Sequence, residues 1–126
     1  MGLIAKKLLP NATRATWTPS AVRLLRKRVD ATQEQFARIL GVVASTVHRW
    51  ESGAVEPDRQ ATEKLMRLRD IAAMLDRSFR QAGRAEWFMT PEARLGGDRP
   101  MDLLALPTGV RKIREYLAAL KAGDFV

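Results

Sequence analysis

No cysteine occurs among the 126 residues, so neither a disulfide nor a thiolate metal site can be built. A reducing, cytosolic compartment fits that absence. Histidine occurs once, at His48, and no other residue stands at metal-ligand spacing from it. No glycine loop matches a phosphate-binding pattern. Asp98 and Asp102 stand four apart and share a helix face if one forms there, but such pairs recur by chance and make a poor catalytic dyad. Enzyme activity and any metal or other cofactor are therefore not expected. No apolar run approaches the roughly 20 residues that cross a bilayer. The opening MGLIAKKLLP holds too short an apolar stretch for a secretory signal, and no small-residue cleavage pattern follows it. Strand periodicity and internal repeats are also missing, which leaves an all-helical chain as the expectation.

What is present centres on residues 32–51, TQEQFARILGVVASTVHRWE. Thr32 suits an N-cap, and Gln33, Glu34 and Gln35 give a polar first turn. Phe36, Ala37 and Leu40 then recur at helical spacing, and Gly41 stands where a left-handed backbone can end the helix. A second helical pattern starts near Ala44, with Val47 and Trp50 three apart. If those two face inward, Ser45, Thr46, His48 and Arg49 face outward. The spacing is that of a helix–turn–helix whose second helix offers polar side chains to a partner.

The net charge of +8 is unevenly placed. Residues 1–69 hold 13 Lys and Arg against 6 Asp and Glu, whereas residues 70–126 hold 9 against 8. The basic excess thus lies with the helix–turn–helix half, pointing to a polyanion there and a different task for the second half. Solubilising surface charge is the plainer alternative, and the clustering argues against it.

Residues 1–18 carry Lys6, Lys7 and Arg14 among Pro10, Asn11 and threonines; a basic arm touching DNA phosphates and a frayed terminus both fit. Trp17 is expected to pack onto the first helix, over about 20–29, capped by Thr18 or Ser20 and buried through Val22, Leu25 and Val29. After Glu51 a turn with Gly53 and Pro57 leads to a long helical pattern over 59–83. Ala61, Leu65, Leu68, Ala72, Leu75 and Phe79 form its seam, widened by Ile71 and Met74. Fewer than three heptads favours packing inside the chain over a helix–helix dimer. A break near Ile71, separating the two halves, is an open expectation. From Gly83 onward stand five of the eight glycines and three of the six prolines. Thr90-Pro91-Glu92 reads as a helix start, Gly96 as a stop, Pro100 as the opening of a short helix through Ala105, and Thr108 as the cap of a last helix over 109–121. Val110, Ile113, Leu117 and Leu120 share one face of that last helix, with Gly123 beyond its end.

A major groove admits one α-helix, whose N-terminal residues reach the base edges. Here those are Ala44, Ser45, Thr46, His48 and Arg49. Arg49 can bond guanine O6 and N7 together, Ser45 and Thr46 a base or a phosphate, and Ala44 offers only a methyl contact. Gln33, at the start of the preceding helix, can reach a phosphate, and Arg59 joins the same set of DNA-contact candidates.

Residues 19–58 resemble the Xre (Cro/repressor-like) helix–turn–helix family through the TQEQFARILGV run, STVHRWESG and the proline a few residues on. The resemblance implies five short packed helices and operator binding as a homodimer. It further implies that Gln33 clamps a phosphate, that Ala44, Ser45 and Arg49 meet base edges, and that Arg26 pairs with Glu51 across the fold. Many relatives carry Ser or Thr where this chain has Val43, so the capping of the recognition helix departs from the pattern. The second half, EWFMTPEARLGGDRPMDLLALPTGVRKIREYLAALKAGDFV, is similar to the ParS-like toxin-binding domain of Xre/MbcA/ParS antitoxins. Shared are the Trp, the Thr-Pro turn, Leu-Gly-Gly, Pro-Met-Asp-Leu-Leu, the Gly before the last helix and a short tail. That resemblance implies a RES-domain toxin partner, an NAD-consuming enzyme whose active-site entrance the antitoxin's C-terminal region blocks. It marks Trp87, Leu95, Gly96, Gly97, Arg99, Pro100 and the tail Asp124-Phe125-Val126 as toxin-contact candidates. For Trp87, Leu95 and Leu103 a small hydrophobic core is the plainer role, which leaves contact to the glycine loop and tail.

The expectation is an all-α chain: an Xre helix–turn–helix bundle (19–69) behind a basic arm (1–18), followed by a small helical toxin-binding domain (70–126). Its function is that of a bacterial cytosolic antitoxin that neutralises a RES-domain toxin and represses its own operon on double-stranded operator DNA as a homodimer, without a membrane role. A freestanding Xre repressor whose second half dimerises or senses a ligand is the alternative.

Overall fold

Side-chain caps, prolines and left-handed glycines set many of the helix ends, and their order along the chain lays out the architecture. The structure, a computed structural model, describes residues 17–123. Helix α1 (Pro19–Arg28) opens with proline at its first position, and the Thr18 hydroxyl accepts the Ala21 N–H at 3.1 Å. Helix α2 (Gln33–Leu40) carries a reciprocal cap: Thr32 Oγ1 accepts from the Gln35 N–H and Gln35 Oε1 accepts from the Thr32 N–H. Gly41 then turns the chain at φ +74° into α3 (Ala44–Ser52). Asp58 caps α4 (Arg59–Ser78), a helix of 20 residues. Short elements follow: α5 (Arg84–Met89), a 3₁₀ turn (Ala93–Leu95) and α6 (Pro100–Leu103), before α7 (Pro107–Ala122) closes the described chain. No described residue lies in a strand, and none of the described helices is long and apolar enough to cross a membrane.

Several expected boundaries move. The long helix runs unbroken past Ile71 but stops at Ser78, short of 83, because Phe79 is extended and the Arg84 guanidinium collects the carbonyls of Phe79 (2.6 Å) and Arg80 (3.1 Å). Thr90 closes α5 instead of opening a helix. It precedes a proline, which favours extended backbone, and its hydroxyl donates back to the Glu86 carbonyl at 2.6 Å. The last helix starts at Pro107, so Thr108 lies inside it and Leu106 takes the cap position without a side-chain bond. The helix from Pro100 ends at Leu103, since Arg67 reaches across from α4 to hold the carbonyls of Leu104 and Ala105.

One continuous core joins both halves. Val22, Leu25 and Val29 of the first segment, Phe36 and Leu40 of α2, and Val47 and Trp50 of α3 close over Leu65, Leu68 and Ile71 of α4. The same helix, through Ala72 and Leu75, continues into Phe88, Leu104, Ile113 and Leu117. The boundary expected at 69/70 therefore falls inside α4, and α2 also touches α5 and α6 directly. Gly109 allows α7 to press against α6: a Cβ there would stand 2.0 Å from the Leu103 carbonyl oxygen.

Candidate nucleic-acid interface and partner-binding half

The recognition helix α3 is held from behind by a buried carboxylate. Glu51, with its side chain 6% exposed, receives Arg26 in a two-point pair, Nε to Oε2 at 2.7 Å and Nη2 to Oε1 at 2.9 Å. Gln33 Nε2 donates to the same Oε1 at 3.2 Å, and Arg23 Nη1 donates to the Glu51 carbonyl at 2.6 Å. Burial pushes the Glu51 carboxyl up, but the hydrogen bonds from Arg26 and Gln33 and the charges of Arg26 and Arg23 together hold it below its ordinary value. Arg26 is correspondingly raised, chiefly by its hydrogen bond to Glu51. Helices α1, α2 and α3 are thus pinned at one acid, and the opposite face of α3 is left to solvent.

On that face Ser45, His48 and Arg49 are exposed and Thr46 is half-buried. Ala44 is also half-buried and leans on the core. Arg59, at the start of α4, is 95% exposed and stands 3.7 Å from Glu63. Gln33 is oriented by Glu51, which fixes its side chain at the N-terminus of α2. Val43 occupies the N-cap of α3 with extended backbone and no side-chain cap bond.

In the second half the sequence candidates separate into two sets. Leu95 and Pro100 are buried among core residues and serve packing. Gly96 and Gly97 are exposed and both left-handed, at φ +75° and +84°, so their loop demands glycine and projects outward. Arg99 pairs through both nitrogens with Asp102 at 2.9 Å and keeps 37% of its side chain exposed. Trp87 is half-buried, edge-on to Phe88 at 4.9 Å, and with Phe79, Leu117 and Leu120 lines an apolar groove of about 320 Å³. Beneath the loop, Tyr116 donates to Glu92 at 2.7 Å. Burial first, then the Glu92 carboxylate, pushes the Tyr116 hydroxyl up to about 12. Asp124, Phe125 and Val126 lie outside the described residues, as do residues 1–16 of the expected arm (1–18), whose last two residues belong to the fold: Trp17 is buried and Thr18 caps α1.

Sequence reasoning missed the seam between the halves. Arg84 is 6% exposed and donates to Asp76 at 2.6 Å and to the Arg28 carbonyl at 2.8 Å, besides capping α4. Asp76 also pairs with Arg28 at 2.8 Å, and its carboxyl is held below its ordinary value, first by Arg84. Gln81 donates to the Lys27 carbonyl, and the Gly83 N–H donates to Asp30 at 3.0 Å. Asp30 stands at φ +55°. An aspartate just past a helix end was the only sign in the sequence, and periodicity does not register it.

Comparison with known proteins finds two family matches that overlap at residues 74–76. Residues 20–76 match a family described as helix-turn-helix domain. Residues 74–123 match the Antitoxin Xre/MbcA/ParS C-terminal toxin-binding domain. A probable mycobacterial cidal antitoxin of Mycobacterium tuberculosis is 33% identical over 79 residues, covering 63% of this chain and 67% of that protein. The crystal structure of the M. tuberculosis MbcT-MbcA toxin-antitoxin complex contains a chain that superposes with a TM-score of 0.68 at 26% identity, covering 86% of this chain and 96% of that one.

Proposed function

The chain belongs to the Xre/MbcA/ParS antitoxin family, and from that membership we propose that it neutralises a RES-domain, NAD-consuming toxin and represses its own operon as a homodimer on operator DNA. The observation that carries the proposal is the joining, on one unbroken α4, of an outward-facing recognition helix to a matched toxin-binding half. Both activities follow from binding, without catalysis by this chain, and both belong to the bacterial cytosol.

On the DNA side, α3 enters the major groove with Arg49 on a guanine and Ser45 and Thr46 on a base or phosphate. Glu51 sets the angle of that helix through Arg26, and Gln33 and Arg59 meet phosphates. On the toxin side, the exposed Gly96-Gly97 loop, Arg99, the groove edge at Trp87 and the tail Asp124-Phe125-Val126 form the contact surface. Leu95 and Pro100 support the loop from inside. A tail that blocks the toxin's active-site entrance acts sterically.

The test is co-expression of the affinity-tagged full chain with a candidate RES-domain protein. A stable complex on purification, together with a gel shift on the operon's own promoter DNA, supports the reading. A tagged chain that leaves the toxin behind contradicts its first part, and equal affinity for promoter and random DNA contradicts its second.

A further inference from the structure

Val43 breaks two local rules at once. It is the N-cap of α3, with φ −87° and ψ 154°, a position where a Ser, Thr, Asn or Asp oxygen accepts a first-turn N–H. Valine has no such oxygen, and no side-chain cap forms. The other three helices of this half are capped by Thr18, Thr32 and Asp58. Val43 also lies 64% exposed, so the isopropyl group does not repay the missing cap by packing. Its neighbour Ala44 leans on the core, whereas Ser45, His48 and Arg49 lie open beside it. A residue that serves neither the cap nor the core, at the leading end of a recognition helix, points to a contact outside the chain.

We propose that Val43 is a specificity-determining residue that reads thymine, its isopropyl group meeting the C5-methyl in the major groove. The proposal rests on the DNA-binding reading of α3 given above. Thymine is the one base whose major-groove edge carries a methyl group; cytosine has only hydrogen at that carbon and offers an amino donor, which valine cannot satisfy. Serine at the same place would turn its hydroxyl to the helix N–H groups and present less apolar surface. Burying one methyl group corresponds to about 0.8 kcal/mol, or about fourfold in affinity.

The experiment starts with selection of binding sites by the full chain from a random DNA pool. Each thymine of the enriched site is then replaced singly by uracil, which removes only the methyl group. The wild-type protein is expected to lose about fourfold at one thymine of each half-site. Val43→Ser and Val43→Ala are expected to bind thymine and uracil versions equally, while Arg49→Ala weakens binding overall and keeps the thymine preference. Val43→Ser restores a cap, so its thermal midpoint should equal or exceed that of the wild type, which separates lost discrimination from lost folding. Retention of the full thymine preference in both Val43 variants, or an enriched site indifferent to every uracil, overturns the role of Val43 alone. Failure to enrich any site overturns the DNA reading along with it.

Discussion

Glu51 is the residue on which the geometry of the recognition helix depends. Removing it in Glu51→Ala strands the largely buried Arg26 guanidinium. Breaking a buried pair costs roughly 3–5 kcal/mol, and since Arg26 keeps 18% exposure and a bond to the Ala31 carbonyl at 3.1 Å, the lower end is expected in urea unfolding. The pH dependence has a definite sign. A carboxyl whose folded pKa lies below its ordinary 4.5 contributes stability that is complete above that pH and disappears as the pH falls through the folded value. Acid titration of stability should therefore fall off below about pH 4.5, and Glu51→Gln should flatten that part of the curve; an unchanged profile would assign the acid response to other carboxylates. Arg49 carries a different kind of claim. Arg49→Ala should weaken operator binding by about 1–3 kcal/mol and relax discrimination at one base pair. Equal loss on specific and random DNA in a gel-shift series would reduce Arg49 to a phosphate contact.

Among the elements, the contact of α6 with α7 is the least forgiving. A methyl group at position 109 meets backbone, which cannot rotate aside as a side chain can. Gly109→Ala should destabilise the chain by about 3 kcal/mol, the upper end of overpacking effects, read as a lowered urea midpoint; a loss below about 1 kcal/mol would mean that α7 slides freely on α6. The sequence made the first four helices legible because their apolar residues recur at helical spacing and because Thr32, with Thr18 or Ser20, offered caps for two of them. The second half was harder to read, for a physical reason. Arg67 holds the carbonyls after α6 from 37 residues away, Arg84 folds back onto the end of α4, and Pro107 displaces Thr108 as the start of α7. The Arg67 and Arg84 contacts run from a side chain to the backbone of another segment, which apolar periodicity does not register. The site divided in the same way: outward positions on α3 follow from where Val47 and Trp50 point, whereas Leu95 and Pro100 could be told from Gly96 and Gly97 only once burial was known.

At the scale of the molecule, the two matched regions share α4, a continuous core and the seam of Arg28, Asp76 and Arg84. They should therefore unfold together. Variants that retain only Trp50 or only Trp87 are expected to report the same urea midpoint, and two separated midpoints would show halves that are merely tethered. On the proposed reading, a rigid junction of this kind would let one small chain hold DNA with its basic half and a toxin with its nearly neutral one. The most direct test of that account is NAD consumption by a purified candidate RES-domain toxin, measured as this chain is titrated in. The full chain is expected to abolish consumption at a fixed stoichiometric ratio, while a chain ending at Leu120 still shifts operator DNA but leaves the toxin active. Undiminished NAD consumption in saturating full-length chain would contradict the central claim, and full inhibition by the shortened chain would remove the tail from the mechanism.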